Sequence, residues 1–208
     1  MKGLLRTGLM WGAIVAWSLT GGLPAQAKPK AKPSKPPAAI AEPVVTSKPD
    51  LDYERLQLLM KSGEWSEANR LTSNIVLTLG GQFERGYLTF EDIKQIPCGD
   101  LRLVDNLWRY YSKGRSGYTV QAQIWRRQGE KNIERFEDVT GWSARKLIPD
   151  PKSAQIGHLP NRPAGSGGDF EASEGAWIQG LTKQAEVCKM IPAKPVPKKK
   201  PVKVMKKS

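Results

Sequence analysis

Residues 100–121 read Asp100-Leu-Arg-Leu-Val-Asp-Asn-Leu-Trp-Arg-Tyr-Tyr-Ser-Lys-Gly-Arg-Ser-Gly-Tyr-Thr-Val-Gln121. Asp100 has the short acceptor side chain of a helix N-cap, and Leu101, Val104, Leu107, Trp108 and Tyr111 recur at helical spacing, so one broad apolar face follows it. Ser112, Lys113 and Gly114 stop the helix, since glycine tolerates the left-handed backbone a helix end needs. On that face Trp108 reads as core. Asp105 interrupts the stripe and reads as a buried hydrogen-bond partner for the Ser112 turn. The short Arg115-Ser116-Gly117 link then sets a cation beside Tyr118 and Val120. From Tyr118 to Trp125 the pattern supports two readings. Apolar and polar residues alternate as in a strand, yet Val120 and Ile124 are also i,i+4 neighbours; the local pattern leans towards a strand.

Working outward, helical periods dominate. Asp50 or Asp52 caps a helix bearing Tyr53, Leu56, Leu59 and Met60, which Gly63 ends. A second helix starts near Glu64-Trp65 and carries Ala68, Leu71, Ile75 and Leu79. Thr89 caps a short helix broken before Pro97. Phe136, Val139 and Trp142 predict a short turn of helix, and Trp177, Leu181 and Val187 a terminal one. Between Pro149 and Glu174 proline and glycine accumulate, which predicts a long, mobile loop. No repeat with a period of 30 to 50 residues is present, which sets aside a solenoid.

The ends differ from the middle. Lys2 and Arg6, the apolar run Leu9–Leu23 and Ala25-Gln26-Ala27 have the order of an export signal, so residues 1–27 read as a cleaved leader or a retained N-terminal anchor. The expected location is then a periplasm or thylakoid lumen, or a membrane. Residues 28–49 are rich in proline and lysine and read as a disordered linker; 191–208, with seven lysines, read as a disordered basic tail. The formal charge of +13 lies in these ends, because 50–190 balances 19 basic against 19 acidic residues. A neutral folded part of this kind argues against nucleic acid, and the lysine tails instead suit an anionic membrane surface. Cys98 and Cys188 pair in an oxidising compartment or remain two buried thiols. Metal-ligand spacing, a phosphate-binding glycine loop and a nucleophile–base set are all lacking, so no enzyme class is indicated and no cofactor is required.

An ordered set of motifs resembles the genomes-uncoupled-four family, the tetrapyrrole-binding regulators of magnesium chelatase. Its members are matched by Trp65-Ser66-Glu67-Ala68-Asn69, with asparagine where the family has aspartate. Pro97, Asp100 and Leu101 follow, then Asp105, Leu107 and Trp108, then Tyr111, Ser112, Gly114 and Arg115. Ser116-Gly117-Tyr118-Thr119-Val120-Gln121 stands where the family has Phe-Gly-Phe-Ser-Val-Gln. Gly141-Trp142, Gly157-His158-Leu159-Pro160 and Cys188 complete the set. The resemblance implies an all-α domain over 50–190 with a concave apolar face, and makes 118–125 a helix. It implies non-catalytic binding of protoporphyrin IX or Mg-protoporphyrin IX by a monomeric regulator, carrier or sensor. Aromatic walls would hold the macrocycle and cations its propionates. The candidate contacts are Arg115, Tyr118, Gln121, Trp125, Trp142, His158 and Arg162, under a lid formed by the loop after Pro149. Arg126 and Arg127 are further cations within reach or a solvated face. His158, the sole histidine, is a packing or turn residue or an axial metal ligand. Magnesium chelatase is a partner only for a cytoplasmic domain. The competing reading is an extracytoplasmic protein- or membrane-interaction module that reuses the fold without porphyrin.

Overall fold

The computed structural model describes residues 41–128, 132–144, 146–163 and 175–193, all within the unit Ala39–Ser208. They form seven helices: α1 Tyr53–Ser62, α2 Trp65–Leu79, α3 Phe90–Gln95, α4 Cys98–Tyr111, α5 Tyr118–Gln128, α6 Ile133–Thr140 and α7 Ala176–Val187. The described residues are all-α, with no strand beyond a single Lys48–Leu51 bridge. None of these helices is long and apolar enough to cross a membrane. Helix α1 packs on α2 and α4, α7 packs on α3 and α5, and α6 packs on α5.

Local chemistry accounts for most helix ends. Asp52 accepts the Arg55 N–H at 2.9 Å and caps α1, and Gly63 closes it in the left-handed region. Thr89 and Asp92 form a capping box at α3. Asn132 caps α6 through the Arg135 N–H.

Helix α4 departs from its expected start. Pro97 takes the N-cap position, because its fixed φ suits a helix entrance, and the helix begins at Cys98. Asp100 is therefore inside the first turn, not its cap. It is buried, and its carboxylate accepts from Tyr53 Oη at 2.7 Å and from Lys48 Nζ. At the other end Lys113 N–H bonds the Tyr110 carbonyl and Gly114 N–H the Arg109 carbonyl, with Lys113 itself left-handed at φ 56°. Gly114 is left-handed too, at φ 78°, as expected of the helix stop, and Lys113 shares that backbone region. Lys189 repeats this geometry after α7, also at φ 56°. Lys189→Gly should relieve the steric cost and raise stability by about 0.5–1 kcal/mol, read from the denaturation midpoint.

Helix α5 settles the ambiguous segment. Tyr118, Ala122 and Trp125 are buried at helical spacing, and the polar Thr119 and Gln121 are buried too. Alternation failed as a guide here because polar side chains with tertiary partners lie inside. Trp108 is fully buried in the core, as its stripe predicts, and Nε1 donates to Thr72 Oγ1 at 3.0 Å. Cys98 and Cys188 are joined by a disulfide whose Cα atoms are 5.1 Å apart, tying the start of α4 to the end of α7.

The folded part is longer than 50–190. Residues 42–48, read from sequence as linker, lie along α1 and α4. Tyr111 Oη donates to Glu42 at 2.8 Å, Gln57 Nε2 to the Pro43 carbonyl at 3.1 Å, and Val45 packs on the core. The composition misled because well-placed contacts to α1 and α4 outweigh a proline-rich bias. At the other end Ile191 is buried and Arg126 Nη1 donates to the Pro192 carbonyl. The leader and the remainder of both tails, residues 1–40 and 194–208, lie outside the described residues.

Candidate functional site

The link between α4 and α5 is held by a carboxylate. Asp105 accepts the Thr119 N–H at 2.7 Å and the Thr119 hydroxyl at 2.6 Å, and Arg109 stands 3.9 Å away. It anchors the start of α5 and not the Ser112 turn; Ser112 Oγ instead accepts the Ser116 N–H at 2.9 Å. Gly117 passes directly over Asp105. At φ 123° a Cβ there would lie 2.8 Å from Asp105 Oδ1, so only glycine fits.

The segment 150–160 is stitched onto this link. Arg115 donates from Nε to the Pro151 carbonyl and from Nη2 to the Ala154 carbonyl, both at 2.8 Å. The Gly157 N–H bonds the Arg115 carbonyl, and the Gly117 N–H bonds the Leu159 carbonyl. Gln121 Nε2 donates to the Gly157 and Pro160 carbonyls at 3.0 and 2.6 Å. Gly157 is left-handed, and a Cβ would meet Ile124 at 2.5 Å. Asn69 explains its place in the early motif, since Oδ1 accepts the Asn161 N–H at 2.8 Å.

His158 lies at the centre of the segment. Its Nδ1 pairs with the Thr140 carbonyl at 2.8 Å and Nε2 accepts the Ile148 N–H at 3.0 Å. A carbonyl requires a donor and an N–H an acceptor, so the ring is held as the neutral tautomer with the proton on Nδ1. Trp142 Nε1 donates to the His158 carbonyl at 2.8 Å. Phe136 joins the aromatic set, with Trp125 at 5.7 Å and Trp142 at 5.4 Å between ring centroids, both edge-on.

These contacts give most of the expected ligand residues partners within the protein. Tyr118, Gln121, Trp125 and His158 are buried and face packing partners. His158 has both ring nitrogens engaged by backbone groups. Arg115 spends its guanidinium on two loop carbonyls instead of waiting for a carboxylate. The described part of the expected lid, 149–163, is a packed strap; residues 164–174 lie outside the described residues. Trp142 and Arg162 remain half-buried, and both meet Glu137. Arg162 Nη1 is 4.0 Å from Glu137 Oε1, and the Glu137 carbonyl accepts the Trp142 N–H. Ile156, half exposed on the same strap, was missed because one apolar residue among turn formers has no periodicity. Phe83 and Tyr87, exposed between α2 and α3, were missed for the same reason; Arg85 covers the Tyr87 ring at 4.4 Å. Among the described residues no group of three His, Cys, Asp or Glu could hold a metal ion.

Tyr118 carries an unresolved cost. Its ring meets Trp177 edge-on at 6.2 Å, and its hydroxyl is buried without a hydrogen-bond partner. Burial, aided by the Asp105 charge, pushes its ionisation well above the usual tyrosine value. Tyr118→Phe should therefore leave stability unchanged or raise it by up to about 1 kcal/mol in thermal denaturation. A loss of that size would show that the hydroxyl is satisfied.

A family model described as GUN4-like matches residues 46–167. The chain belongs to the GUN4-like family. The GUN4-like domain is 40% identical over 123 residues to a Porphyra purpurea protein called "Uncharacterized protein ycf53", covering 55% of this chain and 51% of that protein. An Arabidopsis thaliana protein named "Tetrapyrrole-binding protein, chloroplastic" is 32% identical over 92 residues, covering 43% of this chain and 34% of that one. The chain thus spans about half, or less, of the length of these relatives. GUN4 from Chlamydomonas reinhardtii shares the GUN4-like fold with a TM-score of 0.58 and 28% identity, covering 70% of this chain and 95% of that structure.

Proposed function

We propose that the protein binds a tetrapyrrole, protoporphyrin IX or its magnesium derivative, without catalysis, as a regulator, carrier or sensor. The observation that carries this reading is membership of the GUN4-like family together with a relative named as a tetrapyrrole-binding protein. The side chains present suit such a ligand. Trp142 and Ile156 keep apolar surface exposed, and the 4.0 Å pairing of the Arg162 guanidinium with Glu137 is loose enough to yield to a carboxylate. Trp142 would lie against the macrocycle and Arg162 would take a propionate. The packed Tyr118–Trp125 face and the hydrogen-bonded His158 would hold the strap in shape behind them.

The test is a titration of the full chain with protoporphyrin IX, following tryptophan quenching and the Soret band. Saturation in the micromolar range is expected. Trp142→Ala and Arg162→Ala should each weaken binding about tenfold, the loss of one stacking or charge-assisted contact, with helical circular dichroism unchanged. An unshifted Soret band at tens of micromolar pigment would remove the proposal.

We also infer an extracytoplasmic location. Lys2, Arg6, the Leu9–Leu23 run and Ala25-Gln26-Ala27 support an export signal, and the C-terminal lysines support contact with anionic lipid at up to about 1 kcal/mol per residue. There the domain carries or shields pigment, and magnesium chelatase is its partner only in a cytoplasmic form. Mass spectrometry of the native protein should find an N-terminus at Lys28. An intact Met1 would argue for the retained anchor.

A further inference from the structure

We propose that the Cys98–Cys188 bond is a thiol–disulfide exchange site, attacked at Cys98 by an external dithiol, and that its opening releases α7 from α4. The two sulfurs have unequal surroundings. Cys188 is 1% exposed, whereas Cys98 is only half-buried and lies between the exposed Pro97 and Gly99. An incoming thiolate therefore reaches Cys98 Sγ. Attack forms a mixed disulfide with Cys98 and expels Cys188 as a thiolate, which takes up a proton. The second thiol of the reductant then attacks its own sulfur in the mixed disulfide and expels Cys98. Two electrons pass to the protein, and the reductant leaves as a disulfide.

The surroundings favour both departures. Cys98 is the first residue of α4, no side chain caps that helix end, and helix N-termini stabilise thiolates. Arg102, one turn on, donates to the Cys188 carbonyl at 2.7 Å and so places a cation beside the bond. The cross-link spans 90 residues and is the only covalent tie between α4 and α7 among the described residues. Helix α7 otherwise rests on α3 and α5, where Trp177 meets Tyr118. The exchange site shares no residue with the proposed pigment contacts.

The oxidised full chain is treated with a Cys-x-x-Cys dithiol protein whose resolving cysteine is serine, and the trapped adduct is mapped by peptide mass. The adduct is expected on Cys98. With dithiothreitol and no denaturant, both thiols should then become alkylated by N-ethylmaleimide. Amide exchange in Ala176–Val187 should accelerate at least tenfold while α1 and α2 are unchanged. An adduct on Cys188, alkylation only after guanidinium unfolding, or unaltered α7 exchange would each overturn the proposal.

Discussion

Replacing Cys98 and Cys188 together by alanine should lower the unfolding free energy by about 4–5 kcal/mol. The bond closes a loop of 90 residues, and in the chain-entropy picture a loop of that length removes this much freedom from the unfolded chain. A typical domain holds only about 5–15 kcal/mol in total, so the variant should melt roughly 10–20 °C lower. Because the effect lies in the unfolded state, the denaturant slope should rise as the midpoint falls: an uncrosslinked chain exposes more surface on unfolding. Guanidinium titration by circular dichroism reads both quantities. A midpoint shift worth less than about 1 kcal/mol would mean that the cross-link constrains little.

Asp105→Ala is the second large effect, with an expected loss of about 3 kcal/mol. The substitution leaves the Thr119 N–H and hydroxyl unpaired inside the protein and leaves Arg109 without its acid. Asp105→Asn preserves an acceptor for the amide and should cost only about 1 kcal/mol. The pair also separates a pH effect. Burial raises the ionisation of Asp105 above the ordinary carboxylate value, outweighing the Thr119 bonds and the Arg109 cation. The folded chain therefore holds this proton more tightly than the unfolded chain. That contribution is complete below the unfolded value near 4 and is lost as pH rises through the raised folded one. The parent's advantage over the non-titrating Asp105→Asn should be largest near pH 4 and shrink towards neutrality. An advantage that grew with pH would mean that the ionised form is the one Thr119 stabilises.

The helices were legible because their signals are local. Asp52, Thr89 and Gly63 act on backbone groups within one turn, and the Leu101–Tyr111 stripe spans a single element. Asp100 was misread because a good cap residue lost its place to Pro97 and found Tyr53 and Lys48, 47 and 52 positions away. The site was less legible than the fold. The candidate aromatic and cationic residues lie around α5, α6 and the strap, but sequence has no measure of which face each presents. That Gln121 and His158 meet the carbonyls of Gly157, Pro160 and Thr140 is not written in their spacing.

By itself the chain's order of residues determined that this is a helical domain of the GUN4-like kind with a charge-balanced centre and lysine-rich ends. Periodicity, caps and an ordered motif set are all properties of the chain read in one direction. Only the tertiary structure decided that polar residues lie inside the 118–125 helix, that residues 42–48 belong to the fold, and that Cys98 meets Cys188. Each of these depends on partners tens of residues distant, and a buried polar side chain acquires its role from the group that folding sets against it.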